Sequence, residues 1–343
     1  MKKQISLLLL ASFLCIPFSF AQTAVEYMDD IIKDMKDITK ASWEYVSATS
    51  HGNNAKKVDK KRLDVLQILS DAKTHVAQIG DFNGNTEYRD AVVKYLDMSY
   101  SIFNEDYANL VDMEEVADQS YDFMEAYMLA KEKANEKLDQ AGDDMQLAEE
   151  KFAKDNNINL LDPEKDKISK NLEISNLVYD HYNEVYLIFF KSYKQEFFMM
   201  EAINANDVNA IEQNRNALVT NATEGIDKLK KMTGYNNDAS IIIACKKLLE
   251  FYKSEAEKDI PVIQDFYLKK ENFEKVQSAF DAKKEKDRTQ ADVDQYNDAV
   301  KSYNDAIGKL NSTNEKLNED RSKNIEGWNK SVDSFLDKQV PKE

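Results

Sequence analysis

Asp81, Asn83 and Asn85 alternate along "GDFNGNTEYRDAV", with Gly84 among them, and offer side-chain oxygens at the spacing with which a calcium loop begins. A loop of the EF-hand type also needs a glycine at its sixth position and a bidentate acid at its twelfth, because calcium takes many oxygens. Those places hold Thr86 and Val92. The ligand set is incomplete, and the stretch reads as a turn with Asn85 or Thr86 capping the helix that follows.

Other reactive chemistry is thinly supplied. The histidines are His51, His75 and His181, and none completes the Glu-x-x-His pattern of a carboxylate-bridged metal bundle. Gly-x-Ser-x-Gly, a glycine-rich phosphate loop and His-Glu-x-x-His are all missing from the sequence. Cys245 shares an apolar helical face with Ile241, Leu248 and Tyr252, so it reads as a buried, inert thiol. The expectation is a protein that is not an enzyme, with no catalytic residue, metal or cofactor.

Two surfaces remain as candidates. Asp112, Glu115, Asp118, Asp122 and Glu125 recur at helical spacing and predict an acidic face, either merely solvated or steering a basic partner. Tyr182, Tyr186, Phe189, Tyr193 and Phe197 follow the same spacing within "YDHYNEVYLIFFKSYKQEFFMM". Such a stripe usually fills a core, and the alternative is the lining of an apolar ligand site.

The elements that must position these residues are helices. Three prolines follow residue 21, and apolar residues recur at three and four rather than two, which predicts an all-α chain. Val25 to Ala48 and Val58 to Ile79 read as amphipathic helices. Val293, Tyr296, Val300, Tyr303, Ile307, Leu310, Leu317, Trp328 and Phe335 predict one long helix over about 290–336, with Asn314, Arg321, Asn324 and Ser331 as polar residues in its seam. It is expected to run antiparallel to a helix carrying Ile263, Phe266, Phe273 and Phe280, with "DAKKEKDRTQ" as the hairpin tip.

The chain also repeats itself. Phe82 to Met113 aligns with Tyr235 to Phe266 without a gap at an offset of 153, with seven identities in 32 positions. The apolar stripes on either side follow the same offset or one residue more. The reading is two tandem copies of a bundle of about four helices, residues 22–161 and 162–343, the second carrying the long antiparallel hairpin. Asp162 and Pro163 predict a helix start at the join, Asp259 and Pro261 predict another, and the first copy is expected to break near Asn104 to Asp106.

Residues 1–21, "MKKQISLLLLASFLCIPFSFA", combine Lys2 and Lys3, an apolar run and small residues before a cut, as in a secretory signal peptide. The bulky residues before Cys15 do not suit lipoprotein processing. No later run is long enough to span a bilayer. The formal net charge of -17 repels nucleic acid and anionic lipid, and 23 acids against 8 bases fall between Asp81 and Asp166.

From "AQIGDFNGNTEYRDAVVKYLDMSYSIFNEDYANLVDMEE" to "AEEKFAKDNNINL" the chain resembles a family of exported bacterial helical proteins, the leptospira-type surface proteins, also found in Bacteroidetes-like genomes. The resemblance covers about 80 residues around Gly80 to Leu160 and brings no motif of known chemistry. It implies an envelope or surface protein, in periplasm or at the cell surface, and assigns no site residues. The function expected is a non-enzymatic structural or interaction role with other envelope or surface proteins. The alternative is a carrier holding an apolar small molecule between the aromatic helices.

Overall fold

The computed structural model describes residues 22–51, 55–119, 121–161 and 166–342; within these, the side chains of 55, 105–119 and 131 are outside the description. The predicted leader and the predicted cap at Asp162 and Pro163 lie outside the described residues. Among the described residues the chain is all-α, and the only extended pairings are two isolated bridges, Phe82 with Asn85 and Tyr235 with Asp238.

The N-terminal half comprises α1 (Ala24–Ile32), α2 (Met35–Ser50), α3 (Ala55–Gln78), α4 (Glu87–Gln119) and α5 (Tyr121–Asp155). Thr23 starts α1 with a complete capping box to Glu26, which satisfies two of the orphan donors of the first turn. The single helix expected over Val25 to Ala48 is two. The break falls at Lys33 and Asp34, where Asp34 takes the N-cap place of α2 and its carboxylate goes to His75 Nδ1 at 3.0 Å. The break expected near Asn104 to Asp106 does not occur, since α4 runs through it.

The C-terminal half comprises α6 (Lys167–Asn204), α7 (Val208–Leu229), α8 (Ser240–Ser254), a π-turn (Glu255–Asp259), α9 (Ile260–Asp281) and α10 (Gln290–Gln339). Asp166 caps α6 and Asp207 caps α7 through backbone amides. The helix start expected at Asp259 and Pro261 is found, with α9 beginning at Ile260 and Pro261 in its first turn, but it follows the π-turn without a break and Asp259 makes no capping hydrogen bond. Ile260 N–H reaches back to the Glu255 carbonyl, and Pro261, which has no N–H to give, sits just beyond the widened turn. The 50 residues of α10 match the long helix read from apolar spacing, three residues longer at its C-terminal end.

Each half ends in an antiparallel hairpin. In α4 and α5 the pairing is marked by Lys94 on Asp144 at 2.7 Å and by Lys151 on Glu87. In α9 and α10 it is marked by Phe273 on Tyr303 and Phe280 on Tyr296, with ring centroids 5.0 and 4.7 Å apart. Two cores result. Tyr27, Ile31, Leu69, Val76, Val92, Leu96 and Phe152 lie in the first; Val185, Phe190, Ile211, Leu218, Leu249, Tyr252, Trp328 and Phe335 lie in the second, which also takes in Trp43 of α2 and Met124 of α5.

The turn between α3 and α4 recurs between α7 and α8. Asn83 and Gly84 have φ of 54° and 84°, and Asn236 and Asn237, 153 residues on, have 46° and 63°. Asn85 Oδ1 accepts from Glu87 N–H at 2.8 Å, and Asp238 Oδ1 accepts from Ser240 N–H at 3.0 Å. Asp81 spends its carboxylate on the Gly84 amide. Of the residues that suggest calcium, Asp81 and Asn85 accept from backbone amides and Asn83 supplies a left-handed turn position.

Candidate functional site

The five acids expected along one helical face are divided between two helices. Asp112, Glu115 and Asp118 belong to α4 and their side chains lie outside the described residues; Asp122 and Glu125 are exposed on the first turns of α5. On those turns Tyr121, Met124, Tyr127 and Met128 face the second core, while Phe123 and Leu129 are about half exposed. Glu125 accepts from the Tyr121 hydroxyl at 3.1 Å, and Lys191 of α6 lies over the Tyr121 ring.

The aromatic stripe of α6 packs on itself. Tyr182 meets Tyr186, Tyr186 meets Phe189, and Phe189 meets both Tyr193 and Trp328 of α10, with centroids between 4.8 and 5.7 Å apart. Phe197 turns toward solvent, and the buried Lys194 lies 4.5 Å from the centre of its ring. The open groove of about 740 Å³ lies elsewhere, between α2 and α3, with Asp34, Lys40, Glu44, Asp64, Asp71 and His75 in its lining. That groove is open to solvent and rimmed mostly by charged side chains.

The three histidines are far apart in role. His51 contacts Asp337 and the Pro341 carbonyl, His75 lies between Asp30 and Asp34, and His181 packs on Tyr235 and Phe335. Among the described residues no three His, Cys, Asp or Glu side chains form a group able to hold a metal. Cys245 is fully buried, and burial pushes its thiol well above the usual range.

The strongest concentration of buried charge was not among the sequence candidates. Helix α6 places Ser192 and Glu196 one turn apart on its buried face, and α8 runs into the π-turn with Tyr252 and Glu255 fully buried. Glu255 stands three residues after Tyr252 on the buried stripe that Cys245, Leu248 and Leu249 trace along α8, so helical spacing alone brings it inside as the π-turn begins. Helix α10 then lays Arg321 across both acids. Its Nε donates to Glu196 Oε1 at 2.6 Å, Nη2 donates to Glu255 Oε1 at 2.5 Å, and Nη1 donates to Asn318 Oδ1 at 3.1 Å.

Three polar atoms around this contact are buried with no hydrogen-bond partner within the protein: Glu255 Oε2, Tyr252 Oη and Ser192 Oγ. Burial, reinforced by the neighbouring Glu196 charge, pushes the Glu255 carboxyl up to about 8. Burial also raises Glu196, against the pull of Arg321. Chemically the site is a pair of carboxyls on one cation, closed to solvent on the Glu255 side. The available signal in the sequence is Arg321 itself, the one charged residue among the polar positions of the α10 seam, since a charge taken inside needs a partner of opposite sign.

Among the described residues no helix is long and apolar enough to cross a membrane. Compared with known families, curated proteins and solved structures, the chain matches none.

Proposed function

We propose that this protein is exported to the cell envelope or surface and acts there without catalysis, by holding other proteins against its helical faces. The observation that carries this reading is the division of labour at the start of α5. Tyr121, Met124, Tyr127 and Met128 fasten it to the second core, which leaves Asp122, Phe123, Glu125 and Leu129 on the outside. An apolar ring and leucine interleaved with acids suit a partner with a basic, partly apolar surface, since charge steers the encounter and apolar burial holds it.

Export is supported by the leader pattern of residues 1–21 and by the place of the first cap. A chain cut before Gln22 keeps Thr23 and Glu26, and with them the whole capping box of α1. The two halves are read as copies of one module, supported by the 153-residue offset shared by the sequence, the bridges and the left-handed turn residues. Acidic charge concentrated on one copy is what a surface specialised after duplication would carry.

The test is photo-crosslinking from position 123 in the organism's own envelope, with the same probe at the exposed Leu147 as control. The expected result is a defined adduct at 123 whose yield falls at least about tenfold when Glu115, Asp118, Asp122 and Glu125 are changed to Gln or Asn, as for loss of a steered encounter. An unchanged adduct pattern in the neutral variant overturns the acidic-face reading. An envelope-fraction protein that still begins at Met1 overturns the exported, processed form.

A further inference from the structure

We infer that Glu196 and Glu255 share one proton across Arg321, so that the junction of α6, the π-turn and α10 is a proton-binding site that fastens α10 when filled and loosens it when emptied. Two adjacent nitrogens of one guanidinium, Nε and Nη2, each meet an oxygen from a different glutamate, at 2.6 and 2.5 Å. That edge ordinarily receives both oxygens of a single carboxylate. Here it brings two carboxyls side by side, and like charges at such proximity cannot both ionise without a large penalty.

Charge counting gives the same answer. Two carboxylates against one cation leave a net negative charge among residues that are almost fully buried, and Glu255 Oε2 has no donor to stabilise it. One proton taken from solvent makes the triad neutral while both acids keep their contacts with Arg321. The two carboxyls then titrate as a pair, not as independent groups.

The surrounding charges do not supply the missing neutralisation. Asp259, on the same turn, adds negative charge and is itself held by Lys316 at 2.9 Å. On α7, Arg215 pairs with Glu212, which also receives Gln264 of α9, and on α9 Lys269 stays with Asp265. Tyr252 and Tyr193 are the remaining titratable neighbours, and burial raises Tyr252 far above neutrality.

The triad is particular to the C-terminal half. At the sequence offsets of 154, 153 and 183 for α6, α8 and α10, the N-terminal counterparts of Glu196, Glu255 and Arg321 are Ser42, Ile102 and Leu138. The last offset follows from Phe152 and Phe335, which pack on equivalent rings. None of those three counterparts carries a charge.

The sign follows from which state holds the proton. An unfolded glutamate releases its proton near pH ~4.3, whereas the Glu255 carboxyl in the fold does so at about 8. Between those limits the folded protein binds a proton that the unfolded chain has lost, so this site stabilises most at the acid end, and its contribution falls as pH rises through 8.

The experiment is urea denaturation of the purified protein from pH 5 to 9, comparing the unaltered chain with Glu255→Gln, Glu196→Gln and the exposed-site control Glu150→Gln. The proposal expects the folding constant to fall by up to about tenfold per pH unit within the window, and this slope to be lost in Glu255→Gln but kept in the control. An equal slope in Glu255→Gln overturns it. Infrared spectroscopy of the folded protein at pH 7 tests the same site without reference to stability: a protonated-carboxyl band lost in either Gln variant supports the shared proton, and its absence from the unaltered protein refutes it.

Discussion

Phe335 packs against His181 and meets Tyr235 edge-on in the C-terminal half, just as Phe152 packs against Tyr27 and meets Phe82 edge-on in the N-terminal half. Each phenylalanine comes from the last helix of its half, and each meets one ring from the first helix and one from the bridged turn, between α3 and α4 in the first half and between α7 and α8 in the second. The turn is thus held from both sides, by its left-handed residues and by the ring above it. Truncating either residue leaves a ring-sized hole in a closed core. Phe152→Ala and Phe335→Ala should each cost about 3–5 kcal/mol, measured by urea denaturation at pH 7. The exposed Leu147→Ala should cost no more than ~0.5 kcal/mol.

Asp238 joins two distant parts of the chain and should make stability sensitive to acid. Its carboxylate takes Lys338 at 2.7 Å and Gln339 at 3.0 Å from the end of α10, and the Ser240 amide at the start of α8. The Lys338 bond, with help from Ser240 and Gln339, holds the carboxyl well below the usual aspartate range. A depressed carboxyl stabilises above its unfolded value, near pH ~3.9, and that contribution drains away as pH falls through the folded value. Asp238→Ala should therefore cost about 1–3 kcal/mol at pH 7 and show a weaker loss of stability than the unaltered chain when both are titrated from pH 5 to 2.

Much of the architecture could be read from spacing. The 3-4 pattern of Tyr296, Tyr303, Leu310 and Trp328 located α10 because a helix that long has one continuous apolar stripe. The offset between Asn83 and Asn236 located both turns, because left-handed positions restrict residue type. The same reasoning failed where a pattern crosses a hairpin. Asp112 to Glu125 keeps helical spacing through the end of α4 and into α5, so periodicity alone joined what the fold separates. Charged residues were read as solvated by default, which hid Glu196 and Glu255. Only Arg321, in the seam of a helix otherwise placed by its apolar residues, indicated that charge had gone inside.

The buried triad should be expendable as a unit and costly to break. Arg321→Leu alone leaves Glu196 and Glu255 facing each other with no cation, and removing one partner of a buried charge set typically costs about 3–5 kcal/mol. Replacing all three by their N-terminal counterparts, Glu196→Ser with Glu255→Ile and Arg321→Leu, removes the desolvation penalty together with the attraction. That variant should range from neutral to about 1–4 kcal/mol more stable at pH 8, so the substitutions must be strongly non-additive. Denaturation of the single and triple variants across pH 5 to 9 checks both parts. The triple variant should lose the alkaline decline as well, because the carboxyls responsible for it are gone. A triple variant as unstable as Arg321→Leu would mean that the charged side chains do packing work in the second half that Ser42, Ile102 and Leu138 do not do in the first.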